Sequence, residues 1–311
     1  MNSAEDRITE WFAAARHLDP ARFPVAIGDD MAQINLDGGK SVLITTDMLL
    51  EGTHFDLKTA SLEQVGYKSM AASISDCAAM ATRPLAAVVS VGLPAGYASR
   101  ELKQLHKGIV SAADKYDCPL VGGDITSWQK ETALVINVAM LSTPAGCEPL
   151  KRSGAKVGDC ICVTGTLGGS GFGKHLDFEP RVEEAIRIAA TGKVNSMMDI
   201  SDGLSTDLAR ICHQSKVGAV LNAEAIPVSE AAMRTSDPLA SALNDGEDFE
   251  LLFTLPEKEC EKLLSQWRGT VPITCIGKIV KGEQMKLRAP DGQLTPLKPA
   301  GYDHLADKET L

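Results

Sequence analysis

Several short apolar runs in this chain end on an aspartate, often beside glycine, and that recurrence constrains the fold more than any other feature. Val25-Ala26-Ile27-Gly28 leads into Asp29-Asp30, Val42-Leu43-Ile44-Thr45-Thr46 into Asp47, and Leu120-Val121-Gly122-Gly123 into Asp124. Met197-Met198 leads into Asp199, with Asp202 just beyond Ile200-Ser201. Strands that finish this way can aim carboxylates into a crevice shared by several strand ends, the place where α/β folds seat ligands.

The rest of the chain supplies the elements such a crevice needs. Ile8, Trp11, Phe12 and Ala15 recur at helical spacing and predict an amphipathic helix over 5–18. Met31–Leu36 and Ser41–Thr46 flank Asp37-Gly38-Gly39-Lys40, a composition suited to a hairpin turn. A helix dense in small residues is expected over 62–81, closed by Arg83-Pro84 and followed by an apolar strand at 85–93. A helix at 99–116 and a strand at 132–141 complete one mixed α/β unit.

The segment 143–159 carries Pro144, Gly146, Pro149, Gly154 and Gly158, so the boundary is expected there, with one domain over 1–145 and another over 146–311. Beyond it the pattern restarts. Strands are expected at 160–164, 197–200, 219–222 and 249–255, with helices at 181–191 and 203–213. The loop Gly165–Gly171 is glycine-rich, but it lacks the closing Gly-Lys-Ser/Thr of a P-loop and the spacing of a dinucleotide fold. A plain strand-to-helix turn or a phosphate cradle both suit it.

Composition narrows the partners. A formal charge of -10 over 311 residues disfavours nucleic acid, whose phosphates demand clustered Lys and Arg. No stretch is long and apolar enough to suggest a membrane span, and Met1 to Glu10 is too polar for a signal peptide, so the cytoplasm is the expected location. The eight cysteines lack zinc or redox spacing, Cys160 and Cys162 being the nearest pair, and read as reduced, mostly buried thiols.

Asp76 stands apart, because it interrupts the apolar helical stretch Ala71–Met80. A buried, unpaired carboxylate costs several kcal/mol, about as much as folding can tolerate at one residue. A bridge to Arg83 or Lys68 would satisfy it; so would a metal ion. Several carboxylates converging without a His or Cys cluster select a hard cation, and Mg²⁺ normally combines a few carboxylates with water and substrate phosphates.

Taken together these segments resemble the thiamine-monophosphate kinase family, within the superfamily of aminoimidazole ribonucleotide synthetase and selenophosphate synthetase. The resemblance spans nearly the whole chain. It rests on Ile27-Gly28-Asp29-Asp30, the run Thr45–Phe55, Tyr67–Ala71, Ser75–Met80, Gly122-Gly123-Asp124, Arg152–Ala155, Asp199–Leu204, Gly246–Leu251 and Gly301–His304. The sequence departs from the family at Asp245-Gly246, where a second glycine is usual, and at Asp177-Phe178, where Arg-Pro is expected.

The resemblance implies an α/β N-terminal domain, pairing strands across a homodimer, followed by an α+β C-terminal domain. It implies ATP-dependent phosphorylation of thiamine monophosphate to the diphosphate, with several Mg²⁺ ions. The metal set it implies is Asp30, Thr45, Thr46, Asp47, Asp76, Asp124, Asp199 and Asp202; the ATP contacts are Gly123, Asp124, Arg152 and Ser201. His54, Glu247 and Tyr302 would face the acceptor. The nucleophile is an anionic phosphate oxygen, so no general base is assigned, and Arg152 is the candidate charge stabiliser. Another enzyme of the superfamily with a different acceptor, or a nucleotide-binding regulator without turnover, are the rival readings.

Overall fold

The computed structural model describes residues 4–15, 18–130, 132–191 and 193–305. Two mixed sheets carry the architecture. The first contains β1 (Ala32–Asn35), β2 (Ser41–Leu50), β3 (Thr82–Leu93), β4 (Leu120–Ser127) and β5 (Val135–Pro144) in the order β1-β2-β5-β3-β4. The second contains β6 (Cys160–Thr164), β7 (Ser196–Asp199), β8 (Gly218–Asn222), β9 (Leu251–Leu255), β10 (Ile273–Val280), β11 (Met285–Arg288) and β12 (Leu294–Pro296), in the order β12-β11-β8-β10-β6-β9-β7. The helices are α1 (Ala4–Ala14), α2 (Leu62–Ala79), α3 (Ser99–Lys115), α4 (Lys174–Asp177), α5 (Val182–Ala189), α6 (Leu204–Ser215), α7 (Pro238–Asn244) and α8 (Glu257–Gln266).

The first sheet is two-faced because its strands alternate. Ile136, Val138 and Met140 of β5 turn inward onto α2 and α3 and are buried. Ile44 and Met48 of β2 and Val88 of β3 turn the other way and stay exposed. Helices α2 and α3 cross at reciprocal glycines: a Cβ on Gly66 would lie 2.1 Å from the Leu105 carbonyl oxygen, and one on Gly108 only 1.8 Å from that of Glu63. Ser61 starts α2 as an N-cap, with Gln64 completing the capping box.

α2 is also what joins the two sheets. Its Met70 and Ile74 belong to one continuous core with Leu176, Val182 and Ile188 from the second half and Phe253 of β9. A second core, built on Ile161, Val163, Leu208 and Leu252, lies entirely within the second half.

Some expectations shift. Strand β3 begins at Thr82, ahead of Pro84, and a bulge falls between Pro84 and Ala86. There β3 pairs only with β5, since β4 joins from Ala87 onward, so proline's missing N–H interrupts no second ladder. β5 starts three residues later than expected, and β9 starts at Leu251 because Phe249 has φ 50, outside the β region. The first helix covers 4–14 of the expected 5–18, of which residues 16 and 17 lie outside the described residues. Its apolar Trp11 and Phe12 are 61% and 52% exposed. The helix is tied down by its polar side, Asp6 meeting Arg210 at 3.1 Å and the Ala4 N–H donating to Asp303 at 2.9 Å.

Candidate active site

A cavity of about 590 Å³ opens between the sheets and gathers residues from distant parts of the chain. β2 presents Thr45 and Asp47 on its inner face, two residues apart and so on the same side. Facing them, α2 presents Lys68, Ala72 and Asp76 at intervals of four, one helical stripe. Asp30 enters from the turn before β1, and Asp199 from the end of β7.

Oxygens of Asp30, Asp76 and Asp199 lie within 4.8 Å of one another. Hydroxyls brace them: Thr45 donates to Asp76, Ser73 to Asp47, and Ser75 to Asp199 at 2.5 Å. Asp76 takes neither Arg83 nor Lys68 as partner; Arg83 meets Glu183, and Lys68 meets Glu247. Burial, followed by the charges of Asp47, Asp199 and Asp30, pushes the Asp76 carboxyl well above its usual range. Burial and Asp30 push Asp199 up to about 7, and burial raises Asp47 as well. A cation among these carboxylates would relieve their repulsion and favour the charged form.

The donor set fits Mg²⁺, with hard oxygens only and one buried carboxylate oxygen that makes no hydrogen bond. The Oδ1 of Asp30 accepts from the Arg152 guanidinium at 2.6 Å, while its buried Oδ2 has no hydrogen-bond partner. Arg152 is fixed from behind as well, its backbone N–H donating to Asp29 at 2.7 Å.

The cavity lining also includes Glu247, around which Lys68 and His175 gather. The Lys68 side chain, 1% exposed, donates to Glu247 at 2.5 Å and also to the His54 carbonyl. His175 adds a contact to Glu247 at 3.1 Å. Burial lowers His54 and His175 to about 4, so both rings are neutral near pH 7. The Leu50 N–H donates to His54 Nδ1 at 3.0 Å, which leaves the ring proton on Nε2. Glu247 has φ 53, a left-handed conformation uncommon for a side chain of this size, held by its N–H donating to the Ser201 carbonyl at 2.6 Å. Tyr302, 47% exposed, stands edge-on to His304 at 4.7 Å, and His304 lies 5.4 Å from His54.

Of the residues predicted from sequence, the cavity lining brings together Asp30, Thr45, Asp47, His54, Asp76, Arg152, Asp199, Ser201, Asp202, Glu247 and Tyr302. Asp202 is engaged by Arg210 at 2.5 Å, and Arg210 also holds Asp207 at 2.8 Å. Thr46 borders the cavity, but its hydroxyl turns to the sheet's other face and accepts from Asn137 at 2.9 Å. Gly123 and Asp124 do not reach the cluster. Asp124 is exposed on edge strand β4, in register with Ser90 and so on the outer face with Thr46. Strand alternation, invisible when acids are read only as run endings, separates Thr46 and Asp124 from Thr45 and Asp47.

The turn reading of the glycine loop gains support from two of its N–H groups, Gly168 donating to Asp248 at 2.9 Å and Gly169 to Asp245 at 2.9 Å. A Cβ at Gly168 would lie 2.6 Å from the Ala242 nitrogen. Asp245, where the family usually has glycine, is therefore a structural acceptor, and Phe178 stacks on Phe249 at 3.9 Å. Sequence reasoning missed Lys68, His175, Arg210 and the bracing hydroxyls of Ser73 and Ser75. Lys68 was findable, since it shares the helical stripe of Asp76.

Residues 28–143 match the family model described as "AIR synthase related protein, N-terminal domain", and residues 156–289 match its C-terminal domain. A thiamine-monophosphate kinase from Rhodopirellula baltica is 38% identical over 292 residues, covering 90% of this chain and 91% of that protein. The thiamine-monophosphate kinase of Escherichia coli K12 is 34% identical over 331 residues, covering 96% and 98%. Among solved structures, "AaThiL complexed with AMPPCP and TMP" superposes with a TM-score of 0.81 at 28% identity, covering 97% of each chain.

Proposed function

The chain belongs to the thiamine-monophosphate kinase family, and from that premise we propose that it transfers the γ-phosphate of ATP to thiamine monophosphate, releasing thiamine diphosphate and ADP. The observation that carries this reading is the convergence of Asp30, Asp76 and Asp199 within 4.8 Å, opposite a pre-built acceptor end around Glu247. One end is made for polyphosphate with cations, the other for a positively charged ring.

Asp30, Asp47, Asp76 and Asp199, with Thr45, would hold Mg²⁺, which neutralises phosphate charge and aligns the chain of phosphates for in-line transfer. The attacking oxygen of a phosphate monoester is already anionic. The protein therefore needs no base, and its residues position and stabilise charge. Arg152 supplies a fixed guanidinium beside Asp30, and Ser201 borders the nucleotide end. His54, neutral, offers its Nε2–H to the acceptor phosphate. Glu247 offers carboxylate charge to the thiazolium, and the exposed ring of Tyr302 a π face.

Asp124, Gly123 and Thr46 enter the proposal through assembly. The outer face of the first sheet exposes Ile44 and Met48 beside Val88, with Asp124 in the same register row as Met48. Such a face suits a homodimer that pairs these sheets, and there Asp124 and Gly123 would complete the nucleotide site. A domain division at 145/146 is part of the proposal, in the loop between β5 and β6. Among the described residues no helix is long and apolar enough to cross a membrane, and no disulfide occurs. Unpaired thiols suit the cytoplasm.

Steady-state kinetics of His54→Ala test the acceptor end. The apparent Michaelis constant for thiamine monophosphate should rise by about tenfold or more while that for ATP stays within about twofold. Equal rises for both substrates would move His54 out of the acceptor site.

A further inference from the structure

Four of the eight cysteines come together between the second sheet and α8, and none lines the acidic cavity. Cys160 and Cys162 are two apart on β6 and so share a face. Cys275 on β10 is the direct register partner of Cys162. α8 lies across the same face and contributes Cys260. The sulfurs of Cys160, Cys260 and Cys275 all lie within 4.8 Å of one another, and that of Cys162 is 3.6 Å from Cys260. Cys77, Cys118 and Cys212 show what an ordinary buried thiol looks like here, since none joins such a group among the described residues.

We propose that Cys160, Cys260 and Cys275 bind a zinc ion through their sulfurs, with Cys162, whose sulfur is 3.6 Å from that of Cys260 but outside the mutually close group, turning in as the fourth ligand of a structural site separate from the acidic cavity. The spacing favours this over a disulfide. Sulfurs about 2.3 Å from a shared tetrahedral zinc sit about 3.8 Å apart, against 3.6 Å for Cys162 and Cys260 and no more than 4.8 Å among Cys160, Cys260 and Cys275. A disulfide requires about 2.05 Å. Thiolates are soft donors that select zinc over magnesium, so the two metal sites of the chain do not compete.

Binding would release the thiol protons to solvent as four thiolates form around the ion. The surroundings accommodate that charge. Lys278 stands beside Cys160 and brings a cation to the group. Cys160, Cys162 and Cys260 are buried, and Cys275 is half-buried, which gives the ion a way in. None of the four lines the acidic cavity, so the ion would pin α8 to β6 and β10 and act on stability.

The test is metal analysis of the full chain, produced with zinc in the medium and purified without chelator. Mass spectrometry of the metal should find about one zinc per chain. Replacement by Co²⁺ should give a sulfur-to-cobalt charge-transfer band with the visible bands of a tetrahedral site, which an oxygen-donor Mg²⁺ site does not give. Cys260→Ser and Cys162→Ser should lose the metal and the band, whereas Cys118→Ser should keep both. Should a serine variant fail to fold, the wild-type cobalt spectrum decides alone. Wild-type protein free of zinc after reconstitution, a cobalt spectrum without sulfur charge transfer, or a mass two hydrogens short with Cys162 and Cys260 disulfide-linked would each overturn the proposal.

Discussion

At the residue scale, the carboxylates of the cavity are held at odds with one another. Folded Asp199 titrates near about 7, against 3.8 when free, so the metal-free chain loses stability as pH rises from the lower value through the higher. Asp199→Asn should therefore stabilise the metal-free protein near pH 8 by about 1–3 kcal/mol while abolishing turnover. Thermal melts with and without Mg²⁺ check this: wild type should gain stability from the ion and the variant much less. Glu247→Gln has the opposite character, because it leaves the buried Lys68 without its anion. It should lower stability as well as raise the acceptor Michaelis constant, and a urea titration beside the kinetics separates the two effects. Asp30, Asp47, Asp76 and Asp199 were legible in the sequence because each breaks or ends an apolar run. Asp207 and Arg210 were not, since they sit in the ordinary amphipathic pattern of α6, and only folding shows Asp207 fully buried between Arg210 and the backbone of Asp202 and Gly203.

At the element scale, α2 has three duties: it packs on the first sheet, carries Lys68 and Asp76 into the cavity, and shares a core with the second half. Its position depends on the close approach to α3. Gly66→Ala or Gly108→Ala should destabilise the chain by about 1–3 kcal/mol or more, because each added methyl meets backbone atoms that cannot swing aside. A lowered urea midpoint checks it; an unchanged midpoint would mean that the helices part freely. Most element positions were legible from periodicity and from Gly and Pro. Their pairing was not. Which strand alternation puts Thr45 inside and Thr46 outside follows from neighbours such as β5, more than eighty residues away by register with Asn137 and Met140. The convergence of Cys160 and Cys162 with Cys260 and Cys275 likewise depends on the β6–β10 pairing.

At the scale of the whole molecule, the two sheets make a cavity whose ends differ in charge, and the first sheet keeps an apolar face turned outward. Met48→Glu should convert a dimer into monomers in light scattering and reduce turnover if Asp124 acts across that face; unaltered mass would exclude the face as the interface. The reaction itself is open to a direct assay. The purified chain is incubated with ATP, Mg²⁺ and thiamine monophosphate, and thiamine phosphates and adenine nucleotides are separated and quantified. Thiamine diphosphate and ADP should form in equal amounts, dependent on Mg²⁺ and absent with Asp76→Asn. ADP without thiamine diphosphate, or no consumption of thiamine monophosphate by the wild-type chain, would contradict it.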